Sequence, residues 1–383
     1  MDNITHSLLG VALAELALPA AATKPQRRAF FVTGIIAANL PDADLVYTGI
    51  TPGPLVYLLH HRGHTHTLVG LVAQALLIGA VCLLPAIRRR VAPLELHLGL
   101  VVALALVGHL VLDSWNSYGV HPFWPWDVRW FYGDAIFILE PWLWLLLGVA
   151  AALNLRDRRG RAALAAALVL IVVVPTLFGM LRVGALAALL VAAGAATALS
   201  SRWTPRVRSG TALATCAMFV AVMFVLSGRA HAMALASPPP GTSGTIVDVV
   251  LSPEPADPLC WTALAIAADE RAGEFVMTQG NVAVSAIHEC GPARTTSVAW
   301  AGQVRQSLPE LRALVRRDCS ARAWMQFGRA PEVSARAISD LRYGRAARDN
   351  FSEMPLHADG ASRACPPNLT RWAMPRGDLL RPL

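Results

Sequence analysis

The sequence predicts an α-helical multi-pass membrane bundle of about seven or eight membrane helices, followed by a small α+β soluble domain. Three observations carry this expectation. Hydrophobic residues make up 55% of the 383-residue chain and charged residues only 15%, where soluble proteins carry about 25% charged residues; mean hydropathy is +0.47. Long apolar segments recur through the first 230 residues. From residue 245 onward the apolar runs shorten and mix with charges.

In chain order the apolar segments fall at about residues 4–22, 28–40, 67–87, 96–114, 135–154, 162–179, 183–200 and 210–228. A span takes roughly 20 apolar residues, with about 17 as a lower limit. The later six segments meet that length. Residues 28–40 are too short, so the first two segments are expected as a shallow pair. The first twenty residues lack a basic leader and already carry His6 and Glu15, unlike a cleaved signal peptide. Pro93, Pro175 and Pro205 sit near segment ends or loops, where proline does least damage. The net charge of +8 does not indicate nucleic acid, because the cations are parcelled into short loops between apolar runs.

Those loops set an orientation. One set holds Lys24, Arg27, Arg28, Arg88, Arg89, Arg90, Arg156, Arg158, Arg159, Arg161, Arg202, Arg206 and Arg208; the alternate set holds Arg62, Arg129, Arg182 and Arg229. Thirteen against four puts the first set in the cytoplasm of an inner-membrane protein. Helix parity then brings His6, Asp42, Asp44, the run His60–His66, His109, Asp113 and Asp134 to the opposite, extracytoplasmic end.

Residues 1–230 are expected as the polytopic domain, 231–244 as a linker marked by Ser237-Pro238-Pro239-Pro240-Gly241, and 245–383 as an extracytoplasmic α+β domain. Ile246–Leu251, Trp261–Ala268 and Glu274–Thr278 read as strands, Glu270–Gly273 as a turn, and Leu308–Arg317 as a helix. Cys260, Cys290, Cys319 and Cys365 suit one or two disulfides in an oxidising compartment, with three possible pairings of the four.

Seven of the eleven histidines fall before residue 110. Imidazoles and carboxylates are costly near hydrocarbon, so such a cluster marks function. His109 and Asp113 stand four apart, on one helix face; the alternative is a buried hydrogen-bonded pair. Asp42 and Asp44 follow a proline and offer oxygens to one centre, or else end a helix. In His60-His61-Arg62-Gly63-His64-Thr65-His66, the glycine is expected to permit a tight turn and Thr65 to cap the next helix. Arg62, the one cation there, suits an oxyanion. Asp134 and Glu140 are expected to complete a second site, to orient ligating histidines, or to cap. Phe123 to Tyr132 read as an interfacial aromatic belt, with a lipid-substrate groove as the alternative.

Residues 1–145 resemble the YdjM-type family of membrane-bound, metal-dependent hydrolases. The resemblance rests on Thr5-His6, Leu40-Pro41-Asp42-Ala43-Asp44, His61-Arg62-Gly63-His64-Thr65-His66, His109-Leu110-Val111-Leu112-Asp113, Tyr118-Gly119-Val120 and Phe123-Trp124-Pro125-Trp126. It implies His6, Asp42, Asp44, His61, His66, His109 and Asp113 as ligands, with His60 and His64 as further candidates. It says little about residues 155–383.

Mixed His and Asp ligation suits a divalent metal, zinc above all, or manganese where oxygens dominate. Seven candidate ligands exceed one tetrahedral ion and favour a dinuclear centre. Such a centre lowers the pKa of bound water from about 15.7 to near 7, with Arg62 as the catalytic group stabilising developing charge. The expected reaction is hydrolysis of a phosphoester in a lipid or lipid-linked substrate. The alternative is a transition-metal-binding or transport protein without hydrolytic activity. Neither a Gly-x-Ser-x-Gly elbow nor a His-Glu-x-x-His helix is present.

Overall fold

The computed structural model describes residues 1–51, 53–344, 350–356 and 370–377. Cys365 and His357 lie outside the described residues. Helix α1 (Asn3–Ala17) starts where the Asp2 carboxylate accepts from the Ile4 and Thr5 amides. Helix α2 (Lys24–Asn39) opens on a capping box between Thr23 and Gln26. Pro41 does not end this segment. It sits in a 3-10 turn, Leu40–Ala43, where its missing N–H costs little, and α3 (Asp44–Ile50) follows directly. Lys24–Ile50 therefore forms one apolar stretch of 27 residues, so of the shallow pair expected from residues 4–22 and 28–40 the second member is a span-length element.

The next segment is broken. Helix α4 (Pro54–His60), a 3-10 turn at His64–His66 and α5 (Leu68–Leu83) follow one another, and the pair Leu55–His66 and Leu68–Leu83 bends by 67°. Thr67 caps α5 by accepting from Gly70 N, the role expected of Thr65. A short α6 (Pro85–Val91) carries Arg88, Arg89 and Arg90, and α7 (Glu95–Asp113) returns to the ligand-bearing end. The expected span 135–154 shrinks to α8 (Pro141–Asn154), 14 residues capped by Glu140. Helices α9 (Arg158–Leu177), α10 (Val183–Ser200) and α11 (Pro205–Ala236) complete the bundle. Helix α11 thus includes residues 231–236 of the expected linker.

Among the described residues five helices are long and apolar enough to cross a membrane, six if the bent pair counts as one. The expected seven or eight are not reached. At 15 and 14 residues, α1 and α8 fall below the roughly 17 that crossing takes. Helix α1 packs instead against α2, α7, α8 and α11. A side chain at Gly10 would come within 2.3 Å of the Gly34 carbonyl oxygen, so glycine is what lets α1 and α2 touch backbone to backbone.

The C-terminal part is an antiparallel sheet in the order β1 (Thr245–Glu254), β2 (Asp257–Asp269), β3 (Glu274–Ala283), β4 (Val298–Ser307). The first three strands and the Glu270–Gly273 turn agree with expectation; β4 is additional. Helix α12 (Leu308–Arg317) spans the residues expected and is capped by Ser307. Its Leu308, Leu311 and Val315 pack with Phe275 and Met277. A short α13 (Cys319–Trp324) and a small sheet of β5 (Pro331–Val333), β6 (Ala337–Asp340) and β7 (Met354–Pro355) follow. Cys260 and Cys290 form a disulfide, and Cys319 is also disulfide-bonded.

The two parts interlock. Arg329 donates to Asp134 at 2.9 Å and to Asp248 at 2.8 Å, and the Trp130 indole donates to Gln326 O at 2.7 Å. The aromatic stretch is therefore only partly a belt. Trp126 is 77% exposed, but Trp130 is buried beneath the C-terminal part.

Candidate metal centre

Four elements deliver side chains to one end of the bundle. His6 comes from the first turn of α1, Asp42 from the turn after α2, His66 from the break before α5, and His109 with Asp113 from the last turns of α7. His66, His109 and Asp113 are fully buried. Non-helical backbone at such depth is tolerated where it lines a buried polar site.

One ligand atom from each of Asp42, His66, His109 and Asp113 meets the others within 4.8 Å. His66 Nε2 lies 3.0 Å from His109 Nε2, 3.4 Å from Asp42 Oδ1 and 3.2 Å from Asp113 Oδ2. His109 Nε2 lies 3.6 Å from Asp42 Oδ1 and 3.5 Å from Asp113 Oδ2. A tetrahedral ion with ligands at about 2.0–2.1 Å separates neighbouring ligands by about 3.3–3.4 Å. Five edges of this tetrahedron scatter closely around that figure.

The tautomers suit a cation. His109 Nδ1 faces Ala38 O at 2.7 Å, so it carries the proton and leaves Nε2 a lone pair. His66 Nδ1 faces Thr65 Oγ1 at 3.0 Å and Asp44 Oδ2 at 3.5 Å, which does the same for its Nε2. Two lone pairs then converge on each other beside two carboxylates. Asp113 Oδ2 is buried without a hydrogen-bond donor. Two carboxylates and two neutral imidazoles together carry the charge a divalent cation balances.

The surrounding groups orient this set. Asp44 accepts from Arg62 N at 2.9 Å and Thr65 Oγ1 at 2.8 Å, and it faces His61 Nδ1 at 3.1 Å. It thus stands where a carboxylate would fix candidate ligand histidines from behind. Asp42, Asp44 and His61 form a second, overlapping group with ligand-type atoms within 4.8 Å. Arg62, with φ +57°, turns its guanidinium inward, donating to Asp113 Oδ1 at 3.0 Å, Asp113 O at 3.1 Å and Asn116 Oδ1 at 3.2 Å. The Met1 amine also meets Asp113 Oδ1. Gly63 has φ −80°, so the left-handed residue is Arg62 itself. Glycine is needed at 63 because a side chain there would stand 2.8 Å from His60 O.

The other expected residues separate into two groups. His6 joins the cluster at its edge, its ring stacked on His109 at 3.8 Å and its Nε2 3.4 Å from Asp113 Oδ1. His60 packs on Tyr47, and His64 on Trp124 and Trp372, away from the four-atom centre. Asp134 binds Arg329, and Glu140 caps α8 by accepting from Trp142 N at 3.2 Å. Burial pushes the Glu140 carboxyl up to about 8.

Thr65, Asn116 and His121 also belong to the site; Thr65 lies inside the motif at residues 61–66 in a role the spacing does not show, and no motif marks Asn116 or His121. His121 Nδ1 faces Arg62 O at 3.3 Å, and burial pushes its imidazole down to about 3, so it is neutral. A further group of Cys260, His288 and Cys290 is no ligand set, because the two sulfurs are bonded to each other.

Residues 1–183 match the family described as YdjM inner membrane protein. The match agrees with the motif-based resemblance, reaches beyond residue 145, and together with the apolar helices supports an inner-membrane location. The chain is similar to a protein of Bacillus subtilis (strain 168) named "Uncharacterized protein YfhP", 29% identical over 150 residues, which cover 38% of this chain and 43% of that protein. The chain therefore spans less than half the length of this curated relative. No solved structure matches.

Proposed function

We propose that this protein is a membrane-embedded, metal-dependent hydrolase acting on a phosphoester of a lipid or lipid-linked substrate. One observation supports the metal above all: the facing Nε2 lone pairs of His66 and His109, 3.0 Å apart and flanked by Asp42 and Asp113. These four residues would hold one divalent ion, with zinc the best match to two imidazoles and two carboxylates. Asp44 is already engaged by Arg62 N, Thr65 Oγ1 and His61 Nδ1, which favours an orienting role and one ion over the dinuclear centre expected from ligand number. When bound, the ion supplies Lewis acidity toward a phosphoryl oxygen and lowers the pKa of water toward neutrality.

The chain's own groups do the rest. Arg62 clamps Asp113 through both terminal nitrogens, and Asn116 holds Arg62, leaving only Arg62 Nε without a partner. That geometry favours Arg62 as a positioning residue over a direct oxyanion contact. A transport reading is less favoured. Glu15, the deep acid in α1, is ion-paired with Arg27 at 3.3 Å and offers no second station for a cation. The cation distribution of the loops supports an extracytoplasmic metal end, and the disulfide suits that side.

Metal analysis of the detergent-purified protein tests the centre. About one equivalent is expected in the wild type and none in a His66→Ala/His109→Ala variant. Hydrolysis of bis(p-nitrophenyl) phosphate and of phospholipid, lost on chelation and restored by zinc, tests the reaction. A stoichiometric metal with no hydrolysis of any phosphoester would leave only the binding role.

A further inference from the structure

Resting on that hydrolase reading, we propose that the substrate is a long-chain lipid amphiphile that enters sideways from the bilayer. Its hydrocarbon would lie in the groove between α2 and α5, and its polar head would reach the centre past Asp42.

The water-facing end of the site is covered. The Trp372 indole donates to Leu59 O at 2.8 Å and its ring stacks on His121 at 4.0 Å. Phe351 packs on Tyr57 at 5.6 Å and on Tyr118 at 6.2 Å. Arg342 donates to Ser117 O at 2.6 Å. The C-terminal part thus roofs the loop that carries His61, Arg62 and His66.

Of the four centre-forming residues, Asp42 alone keeps contact with the surface. There it meets a narrow polar seam. Asn3 donates to Asp42 Oδ2 at 3.0 Å and to Asn39 Oδ1 at 3.1 Å, and Asn39 donates to Ser7 Oγ at 3.0 Å. Exposed apolar side chains border it: Ile4, Ile35, Leu45 and Val46. Polar groups among lipid-facing apolar ones are costly unless a polar partner uses them.

The groove begins beside that seam. It encloses about 850 Å³, starts at Leu40 and Ile36, and runs between α2 and α5 past Leu77 and Val81 to Lys24, Arg28 and Arg90. Ile36, Leu77 and Val81 are exposed on segments long and apolar enough to cross a membrane, where hydrocarbon would cover them. The sixteen residues of α2 extend about 24 Å at roughly 1.5 Å per residue, enough for a long chain. The cations at the far end sit where the bilayer turns polar.

The full-length, zinc-loaded protein in nanodiscs decides the matter with dipalmitoyl phosphatidylglycerol as the lipid probe and bis(p-nitrophenyl) phosphate as the soluble one. Expected is wild-type turnover of the lipid at least tenfold faster than of the soluble probe. Ile36→Trp and, on the opposite wall, Val81→Trp should each lose lipid turnover tenfold or more. They should also lose the lipid that native mass spectrometry finds on the wild type, with metal content unchanged. Equal turnover of both probes, or plugged variants that keep their lipid and its turnover, would overturn the proposal. If the wild type hydrolyses neither probe, the hydrolase reading fails by itself. Bound lipid then decides the groove: its loss from Ile36→Trp supports the groove, and its retention refutes it.

Discussion

At the scale of single residues, the candidate centre divides into atoms that face the proposed metal position and atoms that hold them there, and the two classes should respond differently to substitution. His109→Ala removes one of two converging lone pairs, so stoichiometric zinc should be lost outright. Asp44→Asn keeps the size of an orienting group but removes its charge. Zinc should remain, bound about 10–100-fold more weakly, as a competition titration against a chromophoric chelator would show; unchanged affinity would remove Asp44 from the site. The centre-forming residues were legible because histidine and aspartate stand out in an apolar sequence and parity collects them at one end. Of the holders, Asp44 and Arg62 were singled out, though for other roles, and Thr65 and His121 were not legible as holders. Thr65 reads as a helix cap and binds Asp44 at 2.8 Å; His121 has no acidic neighbour in sequence and reaches Arg62 only because the chain returns from residue 114 to the His-Arg-Gly loop. Such contacts depend on loop paths, which carry no period.

At the scale of elements, the geometry depends on how closely short helices approach one another. Helix α1 brings His6 to the cluster only because Gly10 meets Gly34 with no side chain between. Gly10→Val should force α1 from α2, moving His6 and Asn3 away from Asp113 and Asp42; a lower melting temperature together with weakened zinc binding is expected. A drop in melting temperature with metal affinity intact would uncouple the contact from the site. Helix α8 carries a different constraint, since its capping Glu140 is buried and held at about 8. Burial raises the carboxyl, and the amides of Trp142 and Ala256 oppose it. The folded value lies above the unfolded one, so this group's contribution is fully present below about 4.5 and is lost as pH rises through about 8. Glu140→Gln should flatten the pH dependence of thermal stability across that window, and a variant as pH-sensitive as the wild type would contradict a buried neutral carboxyl. Element types were legible from periodicity, with α12 the clearest case. The number of spans was overread because apolar composition does not separate a crossing helix from loops and short helices packed inside a bundle. Strand β4 opens on a short apolar run at residues 298–301, but Gly302 at φ +67° interrupts it and Gln303, Arg305 and Gln306 follow, so no clear strand period marks it.

At the scale of the whole molecule, the C-terminal part is joined to the site and not merely tethered after it, a relation invisible in sequence because its contacts link residues up to 313 positions apart. Arg329, 6% exposed, neutralises Asp134 of the loop before α8 and Asp248 of β1 at once. Arg329→Leu would leave two acids without their shared cation and should destabilise the protein by about 3–5 kcal/mol, seen as a lower unfolding midpoint. Trp372 acts elsewhere in the interface, where its indole lies over Leu59 and His121. Trp372→Ala removes a nearly fully buried side chain, a change that typically costs about 3–5 kcal/mol, and opens a path from water to the centre. The two substitutions should therefore diverge in function. Both lower stability, but only Trp372→Ala is expected to raise turnover of a water-soluble phosphodiester, because only there does the lost volume lie over the His-Arg-Gly loop. Equal rates in both variants and the wild type would mean that the aromatic cover does not restrict access from water.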